Sequence, residues 1–391
     1  MSGAEHILFV DHAGVLGGAE LSLLDIAVAF RDRCEVILFE HGPFETKLLE
    51  HGVSVVAIPA GAALRGVKKG TRLPSPKAIV GTVVLTAHVA RRARKAALVY
   101  TNSPKAFLIG ATAAALARRP VIWHLRDILD QSHFSRSNLR LMTLTANARV
   151  SRVIANSHAT ADAFVAAGGR RDLVRVVHNG IDPAVFDRVD PTARLTVRRA
   201  LGIPDDAFVV GSFSRLHPWK GQRVLLDALE TLPDVHALIV GGALFSGEAE
   251  YEKELRHRAT QPTLAGRVHL LGARDDIPAL MSACDLIAHT STLPEPFGRV
   301  LVEALIARKP LVASDAGGVR EVVQHMQTAL LVQPGNSAAL ASAITRLRRE
   351  PKLAVSLASA GSSHVRERFT RDAMITGVMA NVSDVLEQAR R

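Results

Sequence analysis

Two glutamates frame the run Glu295-Pro296-Phe297-Gly298-Arg299-Val300-Leu301-Val302-Glu303-Ala304. Pro296 and Gly298 make a bend, and the residues from Val300 to Ala307 then read as a helix apolar nearly all round, the pattern of a buried helix. Glu303 is the one charge inside that run. A carboxylate in an apolar setting is costly unless it is paired or binds a polar ligand. Glu295 stands just before the helix, beside backbone N–H groups and the positive dipole end that suit a phosphate. Earlier in the chain, Ser214-Arg215-Leu216-His217-Pro218-Trp219-Lys220-Gly221 carries a guanidinium and an ammonium where a strand pattern gives way to a helix. Arg215 offers a rigid fork and Lys220 a point charge, a pair able to neutralise a diphosphate without a metal. Gly221 lets the backbone approach closely. One carboxylate for a ribose diol, another for sugar hydroxyls and two cations for phosphates outline a nucleotide-sugar; the plainer alternative is a set of solvated surface charges.

These residues need a scaffold, and the chain reads as two successive α/β units. Short buried strands at His6 to Asp11, Cys34 to Glu40, Val53 to Pro59, Ala97 to Asn102, Val121 to His124, Val153 to Asn156 and Val174 to His178 alternate with helices, which argues for a parallel sheet. Residues 60–77, rich in Gly, Lys, Arg and Pro, read as a long basic loop. Between Asn179 and Ala207 the text turns to Asn-Gly, Asp-Pro and Ile-Pro-Asp-Asp, the punctuation of a linker. Strands then resume at Phe208 to Phe213, Ala237 to Val240, Val268 to Leu270, Leu286 to His289, Leu311 to Ser314 and Ala329 to Val332. The expected organisation is a first domain over 1–180, a second over 181–370, and a terminal helix over 371–391 folding back on the first. Ligands of doubly wound sheets bind at the carboxyl ends of the strands, so two such domains facing each other would form a cleft.

With the positions set in this frame, the motifs resemble those of the family 4 retaining glycosyltransferases (glycosyl transferases group 1), which have the GT-B fold of two Rossmann-like domains. The resemblance rests on Arg215 with Lys220-Gly221, the Glu-Pro-Phe-Gly-x-x-x-x-Glu-Ala run and the turn Asp315-Ala316-Gly317-Gly318-Val319-x-Glu321. It implies that Arg215 and Lys220 bind the diphosphate, Glu303 the ribose and Glu295 the donor sugar, while backbone amides around Phe297, Gly298, Arg299 and Val300 touch sugar and phosphate. Arg274 falls where the family's base-contacting loop lies. In the first half, Gly17-Gly18-Ala19-Glu20 is similar to a loop that closes over donor phosphates, and His124 matches a histidine that contacts the sugar near the reacting carbon. Asn156-Ser157 and His178 to Asp182 resemble segments with a mainly structural role. No residue presents itself as inverting base or covalent nucleophile, and the resemblance implies retention by front-face attack. No Asp-x-Asp metal motif is present, no cofactor is expected, and the nucleotide-sugar is a substrate.

Composition bounds the partners. The 391 residues, 48% hydrophobic and 22% charged, describe a globular chain. Of 48 Lys and Arg, 13 fall between His51 and Arg126 with no acidic residue, leaving 35 against all 37 Asp and Glu elsewhere. The basic excess over 65–126 suits an anionic partner such as a membrane surface. Two distant cysteines form no disulfide framework or metal spacing, and the amino terminus lacks a basic leader pattern. A cytoplasmic protein, peripheral at the inner face of the plasma membrane, is expected. Its substrates would be a UDP- or GDP-sugar and a lipid-linked or saccharide acceptor of cell-envelope glycolipid or polysaccharide synthesis. A nucleotide-sugar hydrolase or 2-epimerase is the alternative within this architecture. Nucleic-acid binding is disfavoured, since aromatics make up only 4% and no nucleic-acid motif appears.

Overall fold

The computed structural model describes residues 5–60, 76–245 and 247–391. The basic loop expected at 60–77, with Arg65, Lys68, Lys69 and Arg72, lies almost wholly outside these residues. The chain divides into two units, Met1–Asn179 with Arg371–Arg391, and Gly180–Thr370.

Unit 1 is built on seven parallel strands: β1 Ile7–Asp11, β2 Cys34–Leu38, β3 Ser54–Ala57, β4 Leu98–Thr101, β5 Val121–Leu125, β6 Arg152–Ala155 and β7 Val174–Val176. Their order is β3-β2-β1-β4-β5-β6-β7. All five residues of β1 are buried, as expected of a strand covered by helices on both faces. The two-residue period sends Leu8, Val10, Val99 and Trp123 into one core and Ile7, Phe9, Tyr100 and Ile122 into the other. Trp123 stacks on Phe107 with ring centroids 3.9 Å apart. The helix Arg371–Arg390 returns to this unit, burying Met374, Val378, Val382 and Val385 beside Ile7, Leu23 and Ile26. Their spacing of three and four residues makes one apolar stripe.

Unit 2 carries six parallel strands: β8 Phe208–Phe213, β9 Val235–Val240, β10 Val268–Gly272, β11 Leu286–His289, β12 Leu311–Ser314 and β13 Leu330–Val332. The order β10-β9-β8-β11-β12-β13 reverses direction between β8 and β11, the point at which open parallel sheets leave a crevice at their carboxyl edge. The loops after β8 and β11 hold Lys220 and Glu295.

The segment read as a linker is largely structured. It contains the helices Ala184–Asp187 and Ala193–Ala200. Its Asp-Pro punctuation marks helix starts: Pro183 caps the first, and Asp190 accepts from Thr192 N ahead of the second. Arg198 is fully buried, donating to the carbonyls of Ala283, Asp205 and Ala207 and to Asp285 at 2.8–3.0 Å. The helix Ile277–Ala283, also absent from the sequence reading, packs against it. Among the described residues no helix is long and apolar enough to cross a membrane.

Candidate active site

The loop after β8 is laid directly against the loop after β11. Thr290 Oγ1 donates to Lys220 O at 2.9 Å and Thr292 N to Trp219 O at 2.7 Å. Gly221 sits at φ +72°, and a Cβ there would stand 1.9 Å from Thr290 O, so only glycine allows this approach. A second pair of glycines seats the Glu295 loop on its other side. Gly318 N donates to Glu295 O at 2.8 Å, and a Cβ on Gly317 or Gly318 would meet the backbone of Glu295 or Pro296 at 2.4 Å.

Between these loops Lys220 Nζ lies 2.9 Å from Glu295 Oε1 and 2.8 Å from Oε2. Ser291 Oγ donates to Oε2 at 2.8 Å and His289 Nε2 reaches it at 3.1 Å. An ionised carboxylate only accepts, so His289 carries its proton on Nε2. Burial of Glu295 favours its neutral form, but the Lys220 charge and the His289 hydrogen bond outweigh it and hold the carboxyl well below the usual range. Lys220 Nζ also sits 4.0 Å above the Trp219 ring. Arg215 is 3.3 Å from Glu248 and lies over Phe245, with its backbone carbonyl fixed by Gln222 at 2.9 Å.

Gly298, at φ +85°, caps the helix Arg299–Ile306. That helix is not apolar all round: Arg299, Val300 and Glu303 form a less buried stripe. Arg299 Nε stands 3.7 Å from Glu303, whose carboxyl is pushed up by burial against the pull of Arg299. Phe297 serves the core, its ring packed edge-on against Phe369. Arg274 stands apart beyond edge strand β10, exposed and paired with Asp276 at 2.7 and 2.8 Å.

In unit 1 the carboxyl ends of β1, β4 and β5 hold a buried polar network. Asp11 accepts from Asn102 Nδ2 and from His12 N, each at 2.6 Å. Burial opposes its charge, but the bonds from His12, Asn102 and Ser103 keep its carboxyl below the ordinary range. Arg126 donates to Asn102 Oδ1 at 2.5 Å and Asn179 Oδ1 at 2.8 Å. It therefore drops out of the basic face to which its charge seemed to assign it. His124 is fully buried, with Tyr100 Oη 2.5 Å from its Nδ1. Gly17 N donates to Glu20 Oε2 at 3.0 Å, closing the turn into the helix Gly18–Ala29. Burial and the Asp11 charge push the Glu20 carboxyl up to about 7.

Thus Arg215, Lys220, Glu295, Gly298, Arg299, Val300 and Glu303 occupy neighbouring loops and one helix start of unit 2, while Gly17, Gly18 and His124 belong to unit 1. His289, Ser291, Asp11, Tyr100 and Asn102 escaped the sequence reading. Asp11 alone left a signal there, as an acid closing the otherwise apolar Ile7-Leu8-Phe9-Val10.

The family model described as glycosyl transferases group 1 matches residues 193–364, and that described as Glycosyltransferase Family 4 matches residues 16–185. Crystal structures of Anabaena HepE, in complexes with UDP, with UDP and glucose and with UDP-glucose, share 42% identity with this chain. In the UDP and glucose complex the match covers 97% of this chain and 99% of HepE at a TM-score of 0.89. The chain belongs to the group 1 glycosyltransferase family. Sucrose-phosphate synthase from Thermosynechococcus elongatus, at 20% identity and a TM-score of 0.77, shares the GT-B fold of this glycosyltransferase. Among curated relatives, the D-inositol 3-phosphate glycosyltransferase of Stackebrandtia nassauensis is 27% identical over 86% of this chain and 79% of its own length. The lipopolysaccharide core biosynthesis glycosyltransferase LpsD of Rhizobium meliloti is 32% identical over 53% of this chain and 56% of its own. The glycosyltransferase spans about half the length of most of the first curated relatives it matches.

Proposed function

We propose that this glycosyltransferase moves a hexosyl unit, glucose foremost, from a UDP-sugar to an acceptor of envelope glycolipid or polysaccharide synthesis, retaining the anomeric configuration. The observation that carries the reading is the Lys220–Glu295 pair at the switch point of the second sheet, pinned by His289 and Ser291. HepE, at 42% identity, was crystallised with UDP and with UDP-glucose, which favours uridine over guanosine.

The ammonium has three N–H groups and Glu295 engages it through two oxygens, so it retains donor capacity for a diphosphate oxygen. Arg215 adds the second positive charge, and the two together make the transfer metal-independent in this proposal. Glu295 accepts from sugar hydroxyls, Glu303 from the ribose diol, and the amides from Phe297 to Val300 face the sugar and phosphate. Arg274 is assigned to the base. In unit 1, His124 is assigned to the donor sugar and the Gly17-Gly18 loop to donor phosphate and acceptor. Transfer breaks the bond between the anomeric carbon and the phosphate oxygen and forms the new one from the acceptor hydroxyl on the same face. The acceptor proton leaves with the phosphate.

The acceptor is lipid-linked in this reading. The helix Pro76–Ala93 leaves Ile79, Val80, Val83 and Val84 between 50% and 62% exposed, followed by exposed Arg91, Arg94 and Lys95. An apolar ridge ending in cations fits the interface of an anionic bilayer and would hold the protein peripherally at the inner face of the plasma membrane.

Thermal-shift comparison of UDP, GDP and their glucose conjugates tests the donor. A ligand at 100 times its dissociation constant adds about 2.7 kcal/mol of stability, and stabilisation by GDP alone would overturn the uridine assignment. Release of UDP that needs no added acceptor would identify a hydrolase instead, and the anomer of the product, read by NMR, decides retention.

A further inference from the structure

His124 has two ring nitrogens in very different surroundings. Nδ1 lies 2.5 Å from Tyr100 Oη and 3.3 Å from Arg126 Nη2. Nε2 is buried and has no hydrogen-bond partner among the described residues. A guanidinium has donors only, so a nitrogen facing it must offer a lone pair. Arg126 is itself tied to Asn102 and Asn179 and cannot turn away without breaking both bonds. Tyr100 is fully buried, its ring tilted on Phe9 at 5.0 Å and edge-on to His124 at 5.8 Å.

We infer that Tyr100 and Arg126 are positioning residues that fix His124 as a neutral imidazole protonated on Nε2, presenting that N–H as a donor to an oxygen of the bound sugar. The inference rests on the donor reading above and specifies the chemistry of one of its contacts. Burial pushes the Tyr100 phenol well above its ordinary value, so it keeps its proton and donates it to Nδ1. Burial first, and then the Arg126 charge, hold the His124 imidazolium well below its ordinary value. An orphaned buried donor is costly, and Nε2 calls for a partner that the described residues do not supply. His124 is thereby unsuited to carry a proton through the reaction. Its contribution is a fixed dipole aimed at a sugar oxygen, available without reorganisation.

The test is the full chain labelled with 15N-histidine, its His124 signals assigned by their loss in His124→Gln. Long-range proton–nitrogen spectra are expected to show an unprotonated Nδ1 and a protonated Nε2 throughout, between about pH 5 and 9. A proton on Nδ1, or a titration to imidazolium within that range, overturns the proposal. Tyr100→Phe removes one donor to Nδ1 and is expected to mix the tautomers and lower kcat with UDP-glucose roughly threefold to tenfold, while the donor KM moves little. A fall in kcat with the tautomer unchanged overturns the positioning role of Tyr100. His124→Gln, whose amide reaches the place of Nε2, is expected to retain more activity than His124→Asn, and the reverse order counts against the proposal. Absence of any turnover with UDP-glucose would remove the donor reading and leave the tautomer result standing, so the two failures are told apart.

Discussion

A single ammonium spans both oxygens of a buried carboxylate: Lys220 Nζ is 2.9 Å from Glu295 Oε1 and 2.8 Å from Oε2, across the switch point of the second sheet. The pair is thus internally neutralised, and in the proposed donor reading a diphosphate would share the cation with the carboxylate.

Breaking that pair has a stability cost as well as a catalytic one. Lys220→Ala leaves Glu295 charged and buried, and we expect a loss of roughly 3–5 kcal/mol together with loss of transfer. Adding Glu295→Gln should restore much of the stability and none of the activity. Urea unfolding of the two single variants and the double variant checks this; no recovery in the double variant would mean that the pair is not coupled.

His289 and Ser291 orient the carboxylate on Oε2. His289→Ala should lower turnover with UDP-glucose roughly tenfold while UDP affinity stays within about threefold, because the diphosphate contacts are untouched. Calorimetric titration with UDP separates these effects, and an equal loss of UDP affinity would place His289 elsewhere in the chemistry.

Glu20 sets a pH dependence in unit 1. Its folded value of about 7 lies above the ordinary 4.5, so the folded chain binds more protons than the unfolded chain between these limits. Its contribution therefore falls as pH rises from 4.5 through 7, by about 3 kcal/mol, and is level above that. Glu20→Gln keeps the acceptor for Gly17 N, and should flatten this part of the stability profile measured by denaturation at several pH values.

Arg198 locks the helix Ala193–Ala200 to β11 through Asp285. Arg198→Ala leaves a cavity and takes the donor from the carbonyls of Ala283, Asp205 and Ala207, while Asp285 keeps Arg194 and Val209 N, and the change should cost roughly 2–5 kcal/mol. Thermal unfolding reads the loss, while turnover per folded molecule should hold.

For the helix Pro76–Ala93, Val83→Asp with Val84→Asp should abolish sedimentation with anionic vesicles, and reversal of Arg91, Arg94 and Lys95 should weaken it in a salt-dependent way. Binding that survives both changes would place the membrane contact elsewhere, and a changed oligomeric state in Val83→Asp would identify a second copy as the partner of this face.

Much of this architecture was legible in the chain. Runs such as Ile7 to Val10 and Leu311 to Ser314 are apolar on both faces, and only a covered parallel strand needs that. The Glu295 loop was legible because a charge beside a bend and an apolar helix has few bland explanations. Its true partners were not: His289 and Ser291 sit in no motif, and their role exists only once β11 ends beside the Glu295 loop. Glu303 is largely buried, and its partner Arg299 lies one helical turn earlier on the same face, a pairing that the apolar reading of the helix had not named. Asp-Pro pairs looked like linker text because a helix start and a turn use the same residues.

The Ile181–Thr370 bridge and the return of Arg371–Arg390 to unit 1 give the chain an order of assembly. Met374, Val378, Val382 and Val385 complete a core begun by Ile7 and Phe9, yet they are synthesised after the whole of Gly180–Thr370. On the ribosome, therefore, the second unit can close as a continuous piece while the first still waits for its final helix, holding an apolar face open through the making of nearly half the polypeptide.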